Sequence, residues 1–286
     1  MEQYFILEGC RLEGISDYFA AHLSASIEDY PYGIVIPIEK PYRWTSADVV
    51  RKVKFQLQKH FHLKNLKVGH AGTLDPLATG LLVICAGKAT KISEELQSHE
   101  KEYVAEIEFG ATTPSYDLEQ GINQFFPYTH ITREKVAAVL RQFIGEQEQV
   151  PPLFSAKMVG GLRAYEYARA GEPIELKTSV ITIYEIELLS FTPGMDVEQQ
   201  ITTAIPAAAQ NGNSAEANNR TDYLYQRSEE GGKSLESPRP RAVIRIKCSK
   251  GTYIRSLARD LGLALESGAY LTSLKRTASG IFKLSE

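Results

Sequence analysis

The 286-residue sequence has few cysteines, no long apolar run and no glycine-rich phosphate loop after a strand. Its three cysteines, Cys10, Cys85 and Cys248, are scattered and odd in number, which argues against a disulfide framework and a zinc site. The first ten residues do not have the pattern of a signal peptide, and the apolar run at residues 81–86 is too short to span a bilayer. The sequence therefore predicts a cytoplasmic protein without metal, cofactor or membrane segment.

Excess charge is also absent overall, since the net charge is −3, but the basic residues are unevenly distributed. Residues 40–67 contain eight Lys and Arg against one acid, and residues 239–259 contain seven and no acid. Two basic segments suit a surface that follows a phosphate backbone. Two ordinary solvated faces are the alternative that charge alone leaves open.

Hydrophobic patterning predicts a mixture of strands and helices around one mixed sheet, an α+β fold. Strands are expected near residues 33–39, 81–85, 103–109, 179–191 and 241–248. Helices are expected after Thr45, after Thr132 and around Ile254. Residues 1–32 have no clear period and are assigned to an N-terminal extension of a domain spanning residues 33–286. Within that domain the polar segment 193–240 is predicted to be a flexible insertion.

The most unusual segment is GHAGTLDPLATG at residues 69–80. Its glycines allow sharp turns and close approach to a ligand. Asp75 precedes Pro76, which favours an extended backbone, and a carboxylate on a loop before a buried strand is well placed for chemistry. A structural Asp-Pro turn is the alternative. His70 lies in the same segment without a second ligand at metal spacing, so we interpret it as an RNA or surface contact.

Five segments in order resemble the TruB family of tRNA pseudouridine synthases, over about 240 residues. The segments are KPYRWTSADVV from Lys40, GHAGTLDPLATGLL from residue 69, KEY at residues 101–103, VPPLFSAKMVGGLRAYEYARAGE from residue 150, and SKGTYIRSLARDLG with AYLTSLKRTASGIF near the end. The resemblance implies a pseudouridine synthase fold: a central mixed, mainly antiparallel sheet with flanking helices and a thumb loop that clasps RNA. It also implies isomerisation of uridine-55 in the T-loop of tRNA to pseudouridine, after the base is flipped out.

The resemblance assigns the chemistry to Asp75, acting at the ribose C1′ as nucleophile or as base and electrostatic stabiliser. Arg255 corresponds to the arginine that pairs with this aspartate, with phosphate binding as the alternative. Tyr103 corresponds to the tyrosine that stacks on the target base, whereas an ordinary strand aromatic is the alternative. Tyr253 and Leu274 match the remaining pocket positions, although pattern alone would allow both to be core residues.

Basic residues in the matching segments are candidate RNA contacts, with solvated surface charge as the alternative for each. They are Lys40, Lys157, Arg163, Lys250, Lys275 and Arg276. The resemblance also implies that His70 would brace the vacated base position and that the T-arm of tRNA is the partner. No obligatory protein partner is evident, and a monomer is expected.

The sequence departs from the family pattern at three places. Arg43 stands where the family often has glycine, so its turn must avoid a positive φ or accept strain. The insertion at 193–240 has no assigned role. The chain ends ten residues after Arg276, where many relatives continue into an RNA-binding PUA domain, so a catalytic domain without PUA is predicted. An RNA-binding scaffold without catalysis and an N-glycosidase that releases the base are the rival interpretations.

Overall fold

The computed structural model describes residues 4–155, 157–170, 174, 176–195 and 238–284, which form one mixed sheet with helices packed against it. The strands are β1 Phe5–Ile6, β2 Ile34–Lys40, β3 Val68–His70, β4 Thr79–Ala86, β5 Lys101–Phe109, β6 Ala111–Thr112, β7 Gln124–Phe125, β8 Gly145–Gln149, β9 Met158–Val159, β10 Leu162–Arg163, β11 Ser179–Thr192, β12 Arg241–Cys248, β13 Ala269–Ser279 and β14 Phe282–Lys283. The α-helices are α1 Ile15–His22, α2 Ser46–His60, α3 Ser93–Ser98, α4 Arg133–Gln142, α5 Ala164–Ala170 and α6 Ile254–Ala264. None of the helices in these ranges has the length and apolar character needed to cross a membrane.

The main sheet has ten strands in the order β1-β2-β4-β13-β5-β12-β11-β8, with β3 paired to β4 and β14 paired to β13. Only the β1–β2 and β4–β13 pairs are parallel among the described strands. The predicted α+β fold with a mixed, mainly antiparallel sheet is therefore confirmed. The β4–β13 pair brings residues 79–80 against residues 275–276, which joins distant segments of the sequence at the middle of the sheet.

Local sequence explains why the helices begin where they do. Thr45 caps α2 through the predicted capping box, because its side chain accepts from the Asp48 amide while the Asp48 carboxylate accepts from the Thr45 amide. Val49, Val53 and Leu57 of α2 are buried against the sheet at helical spacing. Thr132 likewise caps α4 through the Lys135 amide. Both helices predicted from these caps are present.

Residues 4–32, part of the segment assigned to an N-terminal extension, pack into the main sheet and its core. β1 pairs with β2 in the main sheet, and Leu7, Ile15, Phe19 and Leu23 are buried in the same hydrophobic core as the sheet residues. No clear period is visible in this part of the sequence because a two-residue strand and an eight-residue helix are too short to show one. The segment completes one face of the domain.

The predicted insertion at residues 193–240 falls mainly on residues 196–237, outside the described residues. Its flanks are described, and they belong to the antiparallel β11–β12 pair, in which Thr192 lies opposite Arg241. The Met195 amide donates to the Pro238 carbonyl oxygen at 2.8 Å. The two ends of the segment therefore leave and re-enter the sheet side by side.

Candidate active site

The unusual glycine-rich segment connects β3 to β4 and carries Asp75 at the edge of a cleft. Gly80, at the start of β4, has φ +97°, and a Cβ there would lie 2.3 Å from the Arg276 carbonyl oxygen. Only glycine fits this close approach between β4 and β13 without moving the backbone. Through this contact the loop at residues 71–78 is held beside β13.

Asp75 and Arg255 form the ion pair that the family resemblance implied. Arg255 Nε lies 2.9 Å from Asp75 Oδ2 and 3.6 Å from Asp117 Oδ2, and Arg255 Nη1 donates to the Ser115 carbonyl oxygen at 3.3 Å. The arginine side chain is 4% exposed, whereas that of Asp75 is 40% exposed. Because the guanidinium is fixed in the interior, it orients one carboxylate oxygen of Asp75 while that side chain stays open to the cleft.

Buried donors hold the backbone of the loop on both sides of Asp75. Ser46 Oγ accepts from the Leu74 amide at 2.9 Å and donates to the Leu74 carbonyl oxygen at 3.1 Å. Arg276 donates to the carbonyl oxygens of Gly72 and Thr73, and Lys40 Nζ donates to that of Pro76 at 3.1 Å. Buried carbonyls need such partners, and here they also fix the position of the carboxylate.

Lys40 and Arg276 are both buried, and a direct contact of either residue with RNA stays a prediction. Lys40 is 0% exposed, and its ammonium already donates to the carbonyl oxygens of Pro41, Trp44 and Pro76. Arg276 is 1% exposed, and its guanidinium donates to three backbone carbonyls. Burial lowers the pKa of Lys40 to about 8. Both cations support the loop from inside the protein.

The cleft beside Asp75 has a volume of about 400 Å³. It brings together most of the predicted site residues from separate parts of the chain. Those that line it are Asp75, Tyr103, Lys157, Arg163, Lys250, Tyr253, Arg255, Leu274 and Arg276. Ser249, Gly251 and Thr252 of the turn before α6 complete one wall. The volume suits a single nucleoside more closely than a folded stem.

Two tyrosines and a lysine on the wall are strongly affected by burial. Desolvation raises the pKa of Tyr103, on β5, and of Tyr253, at the start of α6, so both phenols stay protonated near neutral pH. Lys101 lies two residues before Tyr103, and burial lowers its pKa to about 8. Its ammonium donates to the carbonyl oxygens of Gln97 and His99. The wall thus combines two neutral phenols with the buried cations Lys101 and Arg276, next to the Asp75–Arg255 pair and the basic rim.

His70 lies at the end of β3, paired with Ile84 of β4. Among the described residues it is not one of those that line the cleft. Burial lowers the pKa of its imidazole, and the Arg276 charge acts in the same direction, so the ring is neutral at pH 7. Its Nδ1 atom is buried and has no hydrogen-bond partner among the described residues. A contact between His70 and RNA remains a prediction.

The start of α6 is fixed by a residue that the sequence did not single out. Gln149, at the end of β8, accepts from the Tyr253 amide through Oε1 at 2.8 Å and donates to the Tyr253 carbonyl oxygen through Nε2 at 3.2 Å. The side chain of Gln149 is buried. This double contact holds Tyr253 and, two residues later, Arg255 against the cleft.

The basic rim is formed by exposed or half-buried side chains on the other side of the cleft. β9 and β10 form a hairpin whose turn, Gly160-Gly161, has positive φ at both residues. Arg163 is exposed, while Lys157 Nζ donates to the Lys177 carbonyl oxygen and to Ser179 Oγ. The short hairpin corresponds in position to the predicted thumb. Lys250 is exposed on the turn before α6, and Lys275 pairs with Glu39 at 2.9 Å.

Asp117 is the main acidic residue that sequence reasoning missed. It is buried, lies in the loop after β6, and reaches Arg255 from 138 positions away along the chain. No local pattern reveals such a contact. The one available signal was that Asp117 follows a polar segment, TTPSY at residues 112–116, which is compatible with a buried polar site. Within the described ranges, no three His, Cys, Asp or Glu side chains are grouped to hold a metal ion. The arrangement offers an oriented carboxylate, a fixed cation and an aromatic wall.

Known proteins are similar in sequence to this chain over most of its length. The model of the "TruB family pseudouridylate synthase (N terminal domain)" matches residues 58–205. The tRNA pseudouridine synthase B of Bacteroides thetaiotaomicron is 46% identical over 258 residues, which cover 90% of each chain. The tRNA pseudouridine synthase B of Thermus thermophilus is 39% identical over 248 residues, which cover 85% of this chain and 72% of that one.

Solved structures give the same fold. A chain in the crystal structure of a Cbf5-Nop10-Gar1 complex superimposes with a TM-score of 0.53 and 26% identity, covering 89% of this chain and 50% of that one. A chain in the structure of an H/ACA RNP bound to a substrate RNA containing 2'-deoxyuridine gives a TM-score of 0.50 with 25% identity and covers 49% of that chain. This chain thus spans about half the length of these solved relatives.

Proposed function

Because the chain belongs to the TruB family of pseudouridylate synthases, we propose that it isomerises uridine-55 in the T-loop of tRNA to pseudouridine at the cleft beside Asp75. The observation that carries the proposal is the Asp75–Arg255 ion pair at 2.9 Å, with the aspartate open to a cleft of about 400 Å³. Relatives named tRNA pseudouridine synthase B support tRNA as the substrate.

The reaction needs a carboxylate but no metal or redox partner. The bond between uracil N1 and ribose C1′ breaks, the base turns, and a bond from C5 to C1′ forms, while the proton on C5 is lost and N1 gains one. Asp75 acts at C1′ as nucleophile, or as base and electrostatic stabiliser, and both routes require it ionised and oriented. Arg255 positions it through Oδ2, and the Asp75 side chain remains 40% exposed.

The remaining cleft residues fit the handling of an extruded base. The Tyr103 ring provides a face on which uracil stacks, and its neutral phenol avoids repulsion from the Asp75 carboxylate. Leu274 and Tyr253 complete the apolar wall. Removing a base from a folded loop requires a few kcal/mol of unstacking, which the contacts in the cleft offset. Lys157, Arg163 and Lys250 on the rim contact phosphates.

The test is conversion of an unmodified tRNA transcript, with pseudouridine mapped by chemical treatment and reverse transcription. We expect one modified position, uridine-55, and no product when that position is a cytidine. Modification in another arm would contradict the proposed target. Release of free uracil would instead support an N-glycosidase, and tight binding without conversion would support a non-catalytic scaffold.

We also propose that the protein acts in the cytoplasm as a monomer without an obligatory protein partner. Its three cysteines are buried and free, which suits a reducing compartment. Light scattering of the active protein, with and without tRNA, tests the oligomeric state.

A further inference from the structure

Three consecutive side chains are exposed beside the loop at residues 71–78, which carries Asp75 and is here named the catalytic loop. Tyr42 is 48% exposed and Trp44 is 36% exposed, with exposed Arg43 between them. The three residues, here named the Tyr42–Trp44 turn, connect the end of β2 at Lys40 to the start of α2 at Ser46. Adjacent exposed aromatic side chains on a soluble domain indicate a binding surface more often than single ones do.

The Tyr42–Trp44 turn is anchored to the same cation as the catalytic loop. Lys40 Nζ donates to the carbonyl oxygens of Pro41 at 2.9 Å and Trp44 at 2.6 Å, and also to that of Pro76 at 3.1 Å. One buried ammonium thus links both ends of the turn to the residue after Asp75. The anchor uses backbone atoms, so the side chains of the turn are free to contact a ligand in a fixed position relative to Asp75.

The turn also shares a small cavity with Asp75. Tyr42 lines a small cavity of about 20 Å³ together with Asp75, Leu77, Arg255 and Leu274. Asp75, Arg255 and Leu274 also line the larger cleft, so the small cavity adjoins it on the side of the Tyr42–Trp44 turn. A nucleotide chain whose uridine occupies the cleft has its flanking nucleotides within reach of this side.

The chemistry of the turn matches that of an RNA strand. The Arg43 guanidinium lies over the Tyr42 ring at 5.5 Å, and Arg43 adopts φ +64°. A positive φ is unfavourable for arginine, so the backbone of this turn accepts strain at Arg43. Aromatic rings stack on unpaired bases, and a guanidinium adds a phosphate contact or a stacking plane. The surrounding segment, residues 40–67, carries eight basic residues and one acid.

We propose that Tyr42, Arg43 and Trp44 form a second RNA-binding surface, which stacks on an unpaired base next to the extruded uridine and contacts its phosphate. This inference rests on the proposed function, since it presupposes an RNA whose target nucleotide enters the cleft. The occupant is a single-stranded nucleotide of the loop, because the aromatic faces need an unstacked base.

The first experiment uses Trp44, the only tryptophan of the chain, as its own reporter. The native protein is titrated with a T-arm stem-loop RNA and, separately, with a blunt duplex of equal length. We expect the stem-loop to change the tryptophan emission saturably and the duplex to change it much less. An emission that the stem-loop leaves unchanged at saturating concentration would overturn the proposal.

The second experiment separates binding from chemistry. Tyr42→Ala and Trp44→Ala are expected to raise the Kd for the stem-loop roughly 5- to 100-fold, the range typical of losing one base–aromatic stack. Single-turnover conversion at saturating RNA should fall less than the affinity does, since neither side chain is placed at the reacting atoms. Phe55→Ala, which removes a 63% exposed aromatic from α2, is the matched control. Trp44→Phe should restore binding.

Two outcomes separate failure of this inference from failure of the proposed function. If the native protein converts the T-arm RNA but Tyr42→Ala and Trp44→Ala bind it as tightly as Phe55→Ala, only the Tyr42–Trp44 turn proposal is overturned. If the native protein converts no uridine in any tRNA, the proposed function itself has failed. Arg43→Gln should lower the salt dependence of binding as well as the affinity, and an unchanged salt slope would contradict the phosphate contact.

Discussion

At the scale of the residue, the Arg255 guanidinium orients the Asp75 carboxylate. Arg255 contacts Asp75 and Asp117 through Nε and the Ser115 carbonyl oxygen through Nη1, so two nitrogens of a planar group are used at once. An ammonium carries the same charge but lacks this planar geometry. The position of the carboxylate therefore depends on arginine in particular.

The first prediction concerns Arg255→Lys. Because charge-assisted hydrogen bonds contribute about 1.5–3 kcal/mol, we expect the single-turnover rate to fall roughly 10- to 100-fold, with little change in RNA affinity. Arg259→Lys, one turn later on α6, is the control, since Arg259 pairs with Asp260 outside the cleft. Rapid-quench kinetics at saturating tRNA measures the effect. Equal rates for Arg255→Lys and the control would contradict the orienting role.

Residue identities in the site were predictable to different degrees. Asp75, Tyr103 and Arg255 are recognisable because they lie in dense motifs, and the structure brings them to one cleft. Asp117 and Gln149 were missed because they act across the fold with no local pattern. The burial of Lys40 and Arg276 against the loop backbone was not predicted, because a sequence gives the sign of a charge but not the direction of its side chain.

At the scale of the element, β2, β13 and α2 hold the backbone of the catalytic loop through buried side chains. Ser46 at the start of α2, Lys40 at the end of β2 and Arg276 on β13 all contact its backbone. Arg276 lies on the same face of β13 as Leu274 by the two-residue period, and both residues line the cleft. The loop is therefore a rigid support for Asp75.

The second prediction follows from the burial of Lys40, whose pKa is lowered from 10.5 to about 8. Between about pH 8 and pH 10.5 the folded protein releases this proton while the unfolded chain keeps it. Stability rises with pH when the unfolded state binds more protons, so this lysine contributes a rise across that window. The free energy of unfolding of native protein, minus that of Lys40→Met, should therefore increase from about pH 8 to about pH 10.

Urea unfolding at several pH values measures this difference. Lys88→Met, at an exposed lysine on the short helix after β4, is the matched control and should show no such trend. The free energy of unfolding of native protein, minus that of Lys40→Met, could instead stay flat or fall above about pH 8. That result would mean that the buried ammonium is not destabilised by desolvation.

Helices and strands were predicted correctly from the sequence where a regular hydrophobic pattern extends over many residues. The α2 cap, the 14-residue β11 and the alternating β12 were all expected near their observed bounds. The N-terminal β1 and α1 were not, since short elements have too few residues to establish a period. Their place in the core comes from long-range packing against β2 and α2.

At the scale of the whole molecule, charge is separated although the protein is acidic overall. The rim of the cleft carries Lys157, Arg163 and Lys250 among its lining residues. The net charge of −3 therefore does not oppose RNA binding, because an RNA phosphate interacts mainly with the local electrostatic field at the cleft. Of the two basic segments visible in the sequence, residues 239–259 contribute Lys250 and Arg255 to the cleft, whereas no residue of 40–67 is among the described residues that line it.

The third prediction is that Lys250→Gln weakens tRNA binding and lowers its salt dependence. Removing one phosphate contact reduces the slope of log Kd against log salt by roughly 0.7–0.9. Lys88→Gln, distant from the cleft lining, is the control and should leave the slope unchanged. Filter binding from about 50 to about 300 mM salt gives both slopes. Identical slopes for the two variants would remove Lys250 from the proposed phosphate contacts.

The central claim is that Asp75 carries uridine isomerisation, and the most direct measurement is single-turnover conversion of tRNA by Asp75→Asn. Asp260→Asn, which removes another ion-paired aspartate outside the cleft lining, is the matched control. We predict that Asp75→Asn binds tRNA like the native protein but converts it roughly 10⁴-fold more slowly or not at all. The control should convert uridine-55 at the native rate. Conversion by Asp75→Asn within about tenfold of native would contradict the account.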